Sequence, residues 1–233
     1  MQSIPTYISL LFIVISFFTI AFFYLAAHRS WIPVIVLLIW SGLHCVLALN
    51  GFYLVTDGVP PRTILFLLPT IIAIILLFTV GKKFTLSLDI KWLTILHMVR
   101  VLVEIGIFLL LQKKLVPELM TFEGRNFDIL SGITAPFVFY FGFIRKTLSR
   151  KMLLAWNFLC LALLLNVLIN AVLAIPSAFQ QQAFDQPNVG VLYFPVVLLP
   201  VLIVALVLYS HLVCIVRLWV PVESPSLQSF SRS

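Results

Sequence analysis

The chain has 233 residues, of which 62% are hydrophobic and 10% charged, with a mean hydropathy of +1.17 and a formal net charge of +7. Soluble domains run at about 45–50% apolar and about 25% charged, and a soluble fold of this size cannot hide so much apolar surface in one core. These figures exclude a soluble enzyme, a disordered chain and a nucleic-acid-binding domain. They leave an all-α, polytopic transmembrane helix bundle.

A bilayer crossing needs about 20 mostly apolar residues. Seven runs read as spans: 5–27, 31–53, 63–80, 91–112, 128–144, 152–175 and 189–219. The first lacks a basic leader and is followed, not preceded, by Arg29, so it reads as an uncleaved span. Asp57-Gly58-Val59-Pro60-Pro61 turns the chain between the second and third runs, and Gly81-Lys82-Lys83 closes the third. The fifth run is the shortest. Pro176-Ser177 closes the sixth, and Pro195 and Pro200 are expected to kink the seventh. Residues 1–222 are expected to form a single seven-helix domain, with 223–233 as a short polar cytoplasmic tail.

Lysine and arginine sort by side. Arg29, Lys82, Lys83, Lys91, Arg145, Lys146, Arg150, Lys151, Arg217 and Arg232 fall on one side; Arg62, Lys113, Lys114 and Arg125 fall on the other. Basic residues collect in cytoplasmic loops. The expectation is an amino terminus outside and a carboxyl terminus in the cytoplasm, in a plasma or bacterial inner membrane.

The informative residues are the polar ones that lipid does not tolerate. His97, Arg100 and Glu104 share one face of the fourth run. A charge at the bilayer centre costs about 2.5–3.5 kcal/mol, so Arg100 and Glu104, spaced i,i+4, are expected to pair. Between the fourth and fifth runs, the segment 121–128 carries Glu123, Arg125, Asn126 and Asp128, with Asp128 or Asn126 expected to cap the next helix. Asn166 and Asn170 share a face in the outer half of the sixth run, at the depth of Asn50 and Tyr193. Together these residues predict an outward-facing polar cavity with the segment 123–128 as its rim, and Arg100, Glu104, Glu123, Arg125, Asn126, Asp128, Asn166 and Asn170 as ligand-binding candidates. Each also has a plain structural reading: an ion pair that fixes packing, a solvated loop, or interhelical hydrogen bonds.

No metal site or cofactor is expected; His97 and His211 match in depth and are the one weak alternative as ligands of a metal or haem. Cys45, Cys160 and Cys214 lie in apolar runs with no CxxC spacing, so neither a disulfide framework nor a zinc motif is indicated. No HExxH, GxSxG or Walker pattern occurs. Three function classes remain. The first is a binder or transporter of a small molecule, ion or lipid. The second is an accessory subunit docked to a membrane-protein partner. The third is a membrane-embedded enzyme acting on a lipid or isoprenoid. The lipid bilayer is a partner in all three.

Overall fold

A computed structural model of the chain describes residues 4–219, so the expected tail lies outside the described residues. Of the described residues 71% are helical and none lies in a strand. In chain order the helices are α1 (Thr6–Ala26), α2 (Trp31–Leu49), α3 (Ile64–Thr79), α4 (Lys82–Ser87), α5 (Ile90–Leu96), α6 (Val99–Gln112), α7 (Ile129–Phe139), α8 (Arg150–Leu173) and α9 (Ala205–Trp219). A π-helical turn, Tyr140–Ile144, extends α7, and another, Leu199–Val204, leads into α9.

All seven apolar runs contain helix, but they differ in length. Among the described residues five helical stretches are long and apolar enough to cross a membrane: Thr6–Ala26, Trp31–Leu49, Ile90–Gln112, Arg150–Leu173 and Leu199–Trp219. Ile64–Thr79 and Ile129–Ile144 are apolar but shorter. At 1.5 Å per residue each covers about 24 Å, against a hydrocarbon core of about 30 Å. The second run stops at Leu49 because Gly51, at φ 69°, turns the backbone left-handed before a 3₁₀ turn at Phe52–Leu54. The seventh begins regular α-helix late: Pro195 precedes the helix, and Pro200 sits inside the π-turn. There Trp40 Nε1 donates to the Val201 carbonyl at 3.2 Å.

Helix is the solution that satisfies the backbone without water. Hydroxyls in the apolar runs follow the same rule. Ser16, Thr19, Thr94 and Ser210 each donate to the carbonyl four residues back, at 2.7–2.8 Å. The outer faces are apolar, as on α2, where Ile32, Ile35, Val36, Ile39, Leu43 and Val46 are exposed.

Packing places the α5–α6 stretch at the centre. It contacts α1, α7 and α9, and α8 packs along α9. Two sets of contacts define the two ends of the bundle. At one end Asp89 N–H donates to the Ala26 carbonyl, His28 Nε2 meets the Ser87 carbonyl at 2.7 Å, and Arg150 donates to the Leu218 carbonyl at 2.6 Å. Arg217 donates to the Leu88 carbonyl there too. At the other end Gly190 N–H donates to the Leu115 carbonyl at 2.7 Å and Asn188 N–H to that of Ala174 at 2.8 Å. The first is the basic end and the second is the loop end.

Close approach of α6 and α7 depends on Gly132. A Cβ at that position would lie 2.8 Å from both the backbone nitrogen and Cγ2 of Val101. Gly132→Ala is expected to cost about 1–3 kcal/mol, read as a lower melting temperature in detergent. Gly42→Ala, with nothing within 4 Å of the new atom, should leave that temperature unchanged or slightly raised.

Candidate functional site

The α5–α6 stretch is not one uniform helix. His97 N–H bonds to Thr94 O, Arg100 N–H to His97 O and Val101 N–H to Met98 O, all three-residue steps that tighten the helix into a 3₁₀ turn. Such turns inside a span mark strain or function. His97 and Arg100 project from it.

Arg100 uses all three guanidinium nitrogens. Nε donates to Asp128 Oδ2 at 2.6 Å, and Nη2 pairs with Asp128 Oδ1, giving a two-pronged ion pair. Nη1 meets His211 Nε2 at 2.9 Å, and Nη2 also donates to the Cys160 carbonyl at 3.3 Å. A guanidinium can only donate, so His211 Nε2 accepts and its Nδ1–H donates to Asn157 Oδ1 at 3.0 Å. One side chain thus joins α6, the start of α7, α8 and α9.

Glu104, one turn further along α6, has a different partner from the one its spacing predicts. The ion pair of Arg100 is with Asp128, and Glu104 is clasped by Asn126, whose Nδ2 lies 2.7 Å and 2.8 Å from its two carboxylate oxygens. Sequence spacing finds only neighbours on one helix; here the connection folds back and supplies better-placed groups. The same Asn126 Nδ2 donates to the Met120 carbonyl, and Asn126 Oδ1 accepts from Asp128 N–H at 2.8 Å. Asp128 stands at the N-cap position of α7 yet makes no capping bond with its side chain, because its carboxylate is turned to Arg100. Arg100, Glu104, Asn126, Asp128, Asn157, His97 and His211 are all between 0 and 5% exposed.

The connection from α6 to α7 is built for this. Lys114, at φ 56°, ends α6, and Leu115 N–H reaches back to Leu110 O at 3.0 Å. Gly124 lies against the Glu118 carbonyl and the Leu119 backbone, where a Cβ would collide. The segment is then tied to the loop before α9 through Gly190 N–H to Leu115 O and Gln186 to Val116 O. It forms a cap over the loop end of α6.

The remaining candidates lie outside the buried cluster. Glu123 and Arg125 are exposed. Asn166 donates to the Arg125 carbonyl at 2.9 Å, and Asn170 meets Gln182 Nε2 at 3.0 Å, so both hold loops. Asn50 donates to its own helix at Val46. Beside the buried cluster lies a space of about 60 Å³ between Glu104, Asp128, Met120, Leu164, Val191 and Pro200. A water needs about 10–15 Å³ of such space and a drug-sized ligand about 300–1,000 Å³. The space takes a few waters or a small ion.

His97 and His211 do come together, with ring centroids 3.8 Å apart and planes 15° from parallel. Stacked rings do not aim two nitrogens at a common centre, and both nitrogens of His211 are engaged. The pair therefore does not fit as ligands of a shared metal or haem. His97 packs on Trp156, and neither of its nitrogens has a hydrogen-bond partner. Asn157 is the participant the sequence reading missed. A third asparagine in the sixth apolar run is the signal that marks it.

Comparison with family models, with curated proteins and with solved structures found no match to this chain.

Removing one partner of a buried pair strands the other charge, at a cost of about 3–5 kcal/mol. Arg100→Gln and Asp128→Asn should each lower the melting temperature strongly, and the double variant should lose far less than the sum. The same thermal cycle on Arg100 and Glu104 should give a smaller coupling.

Proposed function

We propose that the chain is a single-domain, seven-span integral membrane protein, amino terminus outside and carboxyl terminus cytoplasmic, that binds and moves a small ion, a proton foremost. The two short helices count as spans in this reading, since tilt of neighbours and local thinning absorb a mismatch of a few ångströms at modest cost. Reporter fusions at the two termini test the orientation; a cytoplasmic amino terminus contradicts it.

The observation that carries the ionic reading is a charge count. Two carboxylates, Glu104 and Asp128, border the same small cavity. One guanidinium answers them, and both its carboxylate-facing prongs go to Asp128. His211 is held as a neutral acceptor by Arg100. One negative charge is left at Glu104, deep in an apolar bundle, where an uncompensated charge is costly. A proton or a small cation completes the site, and the cavity has room for nothing much larger.

Occupancy of Glu104 then acts through Asn126. The ionised carboxylate accepts from Asn126 Nδ2 with both oxygens. Once neutralised, it has less to offer that donor, and the clasp on the cap loosens. Arg100 stays in place because Asp128 holds it. His97, with its free nitrogens about 10 Å along the same helix towards the basic end, is the next group able to accept a proton.

The test uses vesicles loaded with a pH-sensitive dye and carrying an imposed pH gradient. Wild type should dissipate the gradient at a rate that falls at least tenfold in Glu104→Gln, with folding retained. Equal rates in the two proteins contradict the proposal. A stoichiometric membrane partner co-purifying with a chain that conducts nothing would favour the accessory-subunit reading.

A further inference from the structure

A second, roomier space lies away from the charged cluster, on the opposite flank of α9. It is a groove of about 480 Å³ between α2, α3, α4 and the start of α9, walled by Pro33, Trp40, Pro69, Ala73, Phe84 and Ala205 among others. It follows α2 from Ile32 to Trp40, about 12 Å at 1.5 Å per residue. Pro33 and Pro69 stand on facing helices, and the small side chains of Ala73 and Ala205 leave its floor unfilled. The few polar groups along it are spent internally. Thr70 donates to Phe66 O, Trp40 to Val201 O, and the Tyr209 hydroxyl meets Thr85 Oγ1 at 2.8 Å. The wall can recognise only a hydrocarbon chain.

What makes this more than surface for passing lipid is the end of the groove. Lys82 and Lys83 directly precede the lining residue Phe84, and Arg29 precedes the lining residues Ile32 and Pro33. All three cations are exposed, and none has a carboxylate partner among the described residues. The helix α4 is fixed in place, so these charges are positioned. Thr85 ties it to α9 and to the Leu77 carbonyl, and His28 joins the Arg29 turn to Ser87. Over residues 26–33 and 77–91 the one acidic side chain is Asp89, which is turned to the amide of Lys91. Three exposed cations, without a carboxylate partner among the described residues, thus adjoin in sequence the residues that line this apolar slot.

We infer that this groove is a binding site for one anionic lipid, its chain between α2 and α3 and its phosphate at Arg29, Lys82 and Lys83. Clusters of basic residues at the membrane surface attract anionic head groups. The apolar wall supplies the contact that selects a lipid over a soluble phosphate. The site stands independently of the ion-binding reading, since it shares no residue with the Arg100 cluster.

The test is native mass spectrometry of the full chain after incubation with phosphatidylglycerol and phosphatidylcholine of identical acyl chains. Wild type should retain one phosphatidylglycerol per chain, at least fivefold over phosphatidylcholine. The triple variant Arg29→Gln, Lys82→Gln, Lys83→Gln should lose that preference, and Ala73→Trp, which fills the groove, should lose retention of both lipids. Equal retention of the two lipids by wild type overturns the inference, as does an unchanged preference in the triple variant. The surface position of the three cations keeps the triple variant informative even if the tryptophan variant fails to fold.

Discussion

A guanidinium in the middle of an apolar bundle has to be met at every nitrogen, and the arrangement that meets Arg100 fixes the rest of this structure. Its donors reach Asp128 at the start of α7, His211 on α9 and the Cys160 carbonyl on α8. Three helices are set in register by one side chain. The geometry is demanding because lipid offers no substitute partner, and an unmet donor in that environment costs several kcal/mol. The 3₁₀ turn at His97–Arg100 belongs to the same solution, since Arg100 leaves the helix from it.

Once Arg100 is committed to Asp128, the two carboxylates have separate tasks. Asp128 is a structural counter-ion. Glu104 is left with an amide for a partner, and that amide also holds Met120 O and the amide of Asp128. Asn126 therefore links the Glu104 carboxylate to the backbone of the cap, and the proposed function makes that link the switch. The small volume beside the two carboxylates fits that role and does not fit a substrate-sized ligand. On the far flank lies the apolar groove, so the two proposed sites share no residue and sit on separate sides of α9.

Much of the architecture was legible in the sequence, and the reason is physical. A bilayer imposes one length and one composition on every crossing, so apolar runs mark helices directly. All seven runs contain helix, although 64–79 and 129–144 are too short for a full-thickness span. The depth match of His97 and His211 followed from counting residues, and the rings indeed stack. Pairing was the part that could not be read. Arg100 and Asp128 are separated by 28 residues, and their meeting depends on Lys114 reversing the chain and on Gly124 fitting against the 118–119 backbone. The i,i+4 rule offered Glu104 and was overruled by a bidentate partner from another helix. Asn166 and Asn170 share a face as expected, yet they serve loops, because helix periodicity says which residues lie together and not what lies opposite them.

The claim most exposed to test is that Arg100 belongs to Asp128 and leaves Glu104 to Asn126. Solid-state NMR of the protein in bilayers, with ¹⁵N in the arginine guanidinium groups and ¹³C in the side-chain carboxylates, measures this directly. The account predicts strong dipolar coupling from Arg100 to the Asp128 carboxylate and a much weaker one to that of Glu104. Strong coupling to Glu104, with none to Asp128, would contradict it and return the site to a self-neutralised pair on a single helix.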